Sequence, residues 1–235
     1  MGAGSSRPTL ALLVVTVIWG WTFVWMKQAL NAAGEFLPEG NGGAAIALFM
    51  TLRFGLAAAL LPLVLPRARK LPTRREWATG SVRGFLLLAG FLFQMGGLEE
   101  LSPPVSAFLT SLYVVFTALL ATLRHRRLPS RVLPAGVVLA TLGAGFIDGP
   151  PEITLGRGAL LTVAGALVFA LHILATDALT RRVRVLPLTL VMFVFVTLGS
   201  AAALYALEPV WAALAALALG MQEPGAGCWP EAWPS

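Results

Sequence analysis

Several side chains able to bind or pass on a polar solute lie inside the long apolar stretches of this 235-residue chain. Groups of that kind are costly in apolar surroundings unless they face each other or a wet cavity, so they are the first candidates for a site. Trp19 and Tyr113 fall near the middle of their stretches. Trp and Tyr favour the two interfaces of a bilayer, so a central position suits a cavity lining, with simple packing as the alternative. Thr110 lies one helical turn from Tyr113 and can share its face, or its hydroxyl can bond back to a preceding carbonyl. Gln94 offers an amide that either binds a solute or joins two helices. His172 can titrate near neutral pH and couple movement to protons, or it packs as a hydrogen-bonded histidine. Arg53 is a charge well inside its stretch, suited to a carboxylate held bidentately or to a structural link to a carbonyl.

Other chemistries find little support. No second His, Asp or Glu stands near His172 at ligand spacing, so no metal and no other cofactor is expected. Ser106 and Ser111 share a stretch without histidine and sit in no Gly-x-Ser-x-Gly elbow, which argues against an intramembrane serine protease or any other enzyme. The last apolar stretch has no Lys for a retinal Schiff base. Lys27 is close enough to an end to snorkel, and Asp177 is placed to pair with Arg181 and Arg182. The single Cys228 excludes an intrachain disulfide.

The elements that position these groups follow from charge. Fourteen of the seventeen Lys and Arg residues fall in the N-terminal tail (Arg7) or in and beside alternate gaps between apolar stretches. Those gaps hold Arg67, Arg69, Lys70, Arg74 and Arg75, with Arg83 close behind; then Arg124, Arg126, Arg127 and Arg131; then Arg181, Arg182 and Arg184. The intervening gaps hold Glu35 and Glu39, Glu99 and Glu100, Asp148 and Glu152, and Glu208. Positive charge beside spanning helices is retained in the cytoplasm, so the alternation predicts a polytopic membrane protein with a cytoplasmic N-terminus. The basic residues occupy short turns and not one amphipathic face, so no nucleic acid is expected as a partner. Spans are predicted at 9–29, 44–65, 81–98, 104–123, 132–148, 158–179 and 186–207, each long enough to cross about 30 Å of hydrocarbon. Pro103 and Pro104, Pro134 and Pro187 open three of them, where a missing N–H costs little. The first run carries Trp19, Trp21 and Trp25 and reads as a retained span and not a cleaved leader; the opening Met-Gly with Ser6 fits only a loose myristoylation pattern.

A weak internal repeat accompanies the spans. The first and sixth share an opening ALL and a terminal AL, and the second and seventh each carry AAAL near their far end. If a unit of five helices repeats, parity makes the two copies inverted, with a solute site at mid-membrane between them.

Four segments then carry a family resemblance. LSPPVSAFLTSLYVVFTALLATL at 101–123, a basic turn and GVVLATLGAGFI at 136–147 resemble the fourth and fifth helices of the EamA-type drug/metabolite transporters. Ile18-Trp19-Gly20 with Phe23 and Lys27, and Leu52-Arg53-Phe54, resemble the first and second. The resemblance covers about residues 9–207 and implies two inverted five-helix repeats that move small metabolites. On that pattern residues 1–148 form the first repeat, 158–207 the first two helices of the second, and 208–235 a short apolar piece and irregular tail, a second repeat about three helices short.

The expectation is an all-α polytopic bundle of about seven spans, integral to a bacterial plasma membrane. It would work as a secondary transporter of a small organic metabolite by alternating access. A truncated, non-transporting fragment is the alternative, and a homodimer or partner chain could complete the bundle. The site is expected between the first, third, fourth and sixth helices, with Trp19, Gln94, Tyr113 and His172 facing it. Substrate, direction and coupling ion are not written in the sequence. The topology is open to a direct check: reporter fusions at Arg69, Arg126 and Arg182 should all read cytoplasmic, and one external reading breaks the alternation.

Overall fold

Apolar runs of this length have one way to satisfy their backbone in hydrocarbon, the internal hydrogen bonding of a helix or a closed barrel. The computed structural model describes residues 6–36, 42–125, 156–181 and 183–206, and there the chain takes the helical route. The elements are α1 (Ser6–Phe36), α2 (Gly42–Val64), a 3-10 turn (Pro66–Arg69), α3 (Arg74–Glu100), α4 (Pro103–Ser111), α5 (Tyr113–His125), α6 (Arg157–Thr180) and α7 (Val185–Ala206). Six spans, with α4 and α5 together making one, are long and apolar enough to cross a membrane. The molecule is an all-α polytopic membrane protein. The expected fifth span at 132–148 and the tail at 208–235 lie outside the described residues.

Two boundaries differ from the sequence reading, each for a local reason. α3 begins at Arg74, a full two turns before the expected 81, because Thr73 and Glu76 close a capping box. Thr73 Oγ1 accepts from the Glu76 N–H at 3.3 Å, and Glu76 Oε2 accepts from the Thr73 N–H at 2.8 Å. The expected span at 104–123 is not one continuous helix. At Leu112 the backbone N–H turns to the carbonyl three residues back, Leu109 O at 3.2 Å. The carbonyl it would otherwise have met, Phe108 O, accepts the Ser111 hydroxyl at 2.6 Å. A serine side chain thus replaces one rung of the ladder, and the span breaks near its middle.

α3 is the central helix, packed against α1, α2, α4, α6 and α7. Lipid is as apolar as any side chain, so helices in a membrane associate through close packing and small residues, not through burial of oily surface from water. α3 meets α6 in that way. A Cβ built on Gly97 would lie 2.6 Å from Gly158 O and closer still to Thr162 Oγ1, and one on Gly158 would lie 3.0 Å from Gly97 O. Seven residues along each helix, a Cβ on Gly165 would meet Gly90 O at 3.1 Å. The two backbones therefore touch at two levels. α7 lies along the first turns of α3 in the same manner, with Val191 and Leu188 against Gly80 and Phe195 against Gly84. Between these seams Phe54 of α2, Phe91 of α3, Phe169 of α6 and Phe193 of α7 form a chain of ring contacts, with centroids 5.3 to 5.6 Å apart.

The contacts also fix directions. Lys27 lies beside Leu98 and Glu99, so α1 runs parallel to α3. Gly97 opposes Gly158 while Arg83 reaches Thr176, so α6 runs antiparallel to α3 and hence to α1. Thr51 bonds Ser200 and Gly55 lies against Thr197, so α7 runs opposite to α2. These are the senses that an inverted pair would require. The same register gathers Arg67, Arg69, Arg74, Arg75, Arg181 and Arg184 at one end of the bundle, and Glu99 and Glu100 at the other.

Charged side chains close both ends. At the basic end the buried Glu76 carboxylate accepts from Arg184 Nε at 2.8 Å, from its terminal nitrogen at 2.7 Å and from its backbone N–H at 3.0 Å. That pair ties the start of α3 to the start of α7. Arg181 and Asp177 also pair, as expected, but both are exposed and a pair of that kind contributes little. At the acidic end Glu100 Oε2 accepts from the Gly158 N–H at 2.8 Å, fixing the start of α6. Lys27 reaches towards the acidic end, where its ammonium donates to Leu98 O at 2.7 Å and Glu99 O at 2.8 Å, carbonyls left open at the end of α3.

Adjacent glycines provide a test of the seam. Gly97→Ala should destabilise the detergent-solubilised protein by about 1–3 kcal/mol, because backbone on the facing helix cannot give way. Gly96→Ala should be neutral or slightly stabilising, since its Cβ meets only a Leu161 methyl at 3.7 Å. Equal melting temperatures for the two variants would refute the close approach.

Candidate functional site

Gln94 projects from α3 between Gly90 and Gly97, where the backbone already lies against α6, and its amide reaches α4. Gln94 Nε2 donates to Thr110 Oγ1 at 3.1 Å, and both side chains are buried, at 2% and 4% exposure. Ser106 is fully buried one turn before Thr110, on the same face of α4. Among the described residues neither Gln94 Oε1 nor Ser106 Oγ has a hydrogen-bond partner. Whichever way the amide is turned, one of its two polar atoms is left over. Buried polar atoms without partners are rare in native proteins because each costs about 1–3 kcal/mol, so two in adjacent turns mark a place built for hydrogen bonding. The sequence reading named Gln94 and Thr110 but used Ser106 only to argue against a nucleophile. The i, i+4 spacing of Ser106 and Thr110 was the available signal.

Arg53 enters from the middle of α2. Its guanidinium carbon lies 5.1 Å from the centre of the Phe91 ring and 5.6 Å from that of Phe54, and Nη1 is 3.8 Å from Met26 Sδ. Phe91 precedes Gln94 by one turn of α3, so Arg53 and the Gln94–Thr110 pair adjoin neighbouring turns of one helix. Met26 of α1, Arg53 of α2, Phe91 and Gln94 of α3, and Ser106 and Thr110 of α4 thus come from four consecutive helices. Tyr113 follows Thr110 across the break at Leu112; it is half-buried, and among the described residues its hydroxyl makes no hydrogen bond.

The remaining two candidates stand apart. His172 Nδ1 lies 3.1 Å from Arg83 O, a contact that requires the proton on Nδ1. Arg83 Nε donates to Thr176 Oγ1 at 3.0 Å, and that hydroxyl donates to His172 O at 2.7 Å, closing a ring between α3 and α6. His172 is seven residues past Gly165, the residue opposite Gln94, which is about 10 Å nearer the basic end. Trp19 is 53% exposed, and from Leu13 through Trp21 every side chain of α1 is exposed. The structure therefore joins Gln94 to Thr110, places Arg53 against Phe91 one turn of α3 away and Tyr113 close to Thr110 in the chain, and sets His172 and Trp19 elsewhere. No group of three or more potential metal ligands occurs among the described residues.

The six membrane-crossing helices found among the described residues agree with the comparisons with known proteins. The profile of the EamA-like transporter family matches residues 7–147, more than half of the sequence, and the chain belongs to that family. A protein of Archaeoglobus fulgidus described as an uncharacterized transporter is 28% identical over 166 residues, which is 70% of this chain and 47% of the relative. The chain thus spans about half the length of that relative. No solved structure matches it.

The hydrogen bond at the centre of the cluster can be tested by a double-mutant cycle. Thr110→Val alone should lower stability by about 1–3 kcal/mol, because it leaves the buried amide with no partner. Adding Gln94→Leu should recover most of the loss, since two apolar groups of similar shape cost far less than one orphaned amide. Thermal unfolding in detergent reads both, and additive losses would show that the two residues do not interact.

Proposed function

We propose that the protein is a secondary transporter that moves a small organic metabolite across the cytoplasmic membrane by alternating access. The observation that carries this reading is the buried Gln94, Ser106 and Thr110 cluster, whose leftover hydrogen-bonding capacity lies deep among apolar helices. A solute passing through hydrocarbon needs such a place, and a bundle that only had to be stable would not. On this proposal residues 1–148 are one inverted repeat and 158–207 open the second, which the opposed senses of α1 and α6 and of α2 and α7 support. The basic end of the bundle faces the cytoplasm, and the N-terminus with it. Substrate-binding roles fall to Gln94, Thr110 and Arg53, with Tyr113 at the rim. His172 takes the quieter of its two roles, a packing histidine locked to Arg83, and Trp19 meets lipid or a neighbouring chain. The work is the exposure of one site to two sides in turn, with no bond made or broken.

Alternating access makes one residue reachable from both faces. In a Cys228→Ser background, a membrane-impermeant thiol reagent should label Ser106→Cys in right-side-out and in inside-out vesicles. Labelling from neither side would overturn the proposal, and labelling from one side only would leave a fixed cleft in place of a carrier.

A further inference from the structure

The bundle's cations are not treated alike. Lys27 ends on two carbonyl oxygens at 2.7 and 2.8 Å, and Arg83 ends on the Thr176 hydroxyl at 3.0 Å. Arg184 forks onto a carboxylate. Each of these has oxygen to meet its N–H groups. Arg53, halfway along α2, has among the described residues only a thioether at 3.8 Å and the faces of two phenylalanines. Thioether sulfur is a weak acceptor, and ring faces attract the charge without engaging the five N–H donors. No carboxylate lies within pairing distance of it among the described residues.

A guanidinium in that setting is held in place but not neutralised. The faces of Phe54 and Phe91 attract the charge, and the N–H edge is the part left to act. That edge matches the two oxygens of a carboxylate in geometry and in charge. A doubly charged phosphate monoester would bring one negative charge more than Arg53 supplies. The neighbouring walls are apolar, Met26, Phe54 and Phe91, and the next turn of α3 brings the Gln94, Ser106 and Thr110 polar atoms.

We propose that Arg53 is the anion-recognition group of this site, and that the transported solute is a small organic monoanion, a carboxylate on an apolar body. The inference rests on the reading of the α1–α4 cluster as the solute site and adds to it the charge of the solute. Unlike the amide and hydroxyls, which would serve a neutral polar molecule equally well, a guanidinium without a carboxylate partner discriminates between acid and amide.

The test compares matched pairs on the purified full chain in detergent: acetate with acetamide, benzoate with benzamide, and indole-3-acetate with indole-3-acetamide. The amide of each pair controls for partition into the micelle. By isothermal titration at least one carboxylate should bind about tenfold more tightly than its amide, the scale of one charge-assisted hydrogen bond. Arg53→Gln should abolish that preference. Arg53→Lys, which keeps the charge but loses the fork, should retain part of it and serves if the glutamine variant does not fold. Equal binding of acid and amide in all three pairs, or a preference that survives both substitutions, overturns the inference. Two-sided labelling of Ser106→Cys together with equal binding would remove the anion but keep the site; absence of labelling would remove the site itself.

Discussion

The structure depends above all on the approach of two backbones. Where α3 crosses α6, Gly97 lies against Gly158 and Gly90 against Gly165, and at both levels a carbonyl of one helix stands within 3.1 Å of where a Cβ would be on the other. Because lipid gives helices no hydrophobic reason to associate, contact area at short range has to supply the attraction, and only glycine allows backbones this close. Everything else in the central bundle is placed by that crossing. It sets the level at which Phe169 meets Phe91, leaves Gln94 facing α4, and brings Arg83 to His172 and Thr176 at one end and Glu100 to Gly158 at the other. A helix one residue longer or shorter between the two glycine levels would lose the register of all of these at once.

The class of the fold and the relative senses of the described helices could be read from the apolar stretches and the alternation of charge between them, because retention of Lys and Arg at one face is a strong and simple rule. The glycine seams could not. Twenty-four glycines are spread through the sequence, and the seven-residue spacing on α3 and α6 becomes meaningful only when the two helices are set side by side. The break at Leu112 was hidden for a related reason. Ser-Leu-Tyr contains neither proline nor glycine, and the serine that permits the break is equally at home bonding back inside an intact helix.

The candidate residues were found by looking for polarity in apolar surroundings, and that rule succeeds or fails according to what else is polar nearby. Gln94 and Thr110 partner each other across two helices, as residues of that kind in neighbouring spans are apt to do. His172 looked isolated because its partner, Arg83 O, is backbone and carries no signature in sequence. Arg83 itself had been counted among the basic residues that set topology, yet it turns into the bundle to bond Thr176. Trp19 shows the limit from the other side. Depth in a helix says nothing about facing, and an α1 exposed on every side from Leu13 through Trp21 presents tryptophan outward as readily as inward.

The exchange of partners at Leu112 has a mechanical meaning. A regular α-helical turn there would hand Phe108 O back to the Leu112 N–H and release the Ser111 hydroxyl, so the two forms keep the same carbonyl satisfied with different donors. The two forms then differ by a swap of donors at one carbonyl, and this joint leaves Phe108 O satisfied even in hydrocarbon. It divides the span into levers of about 14 Å and about 20 Å, with Thr110 on one and Tyr113 on the other. Rotation at the joint would change the angle between those two side chains while α3, pinned by its glycines, stayed still.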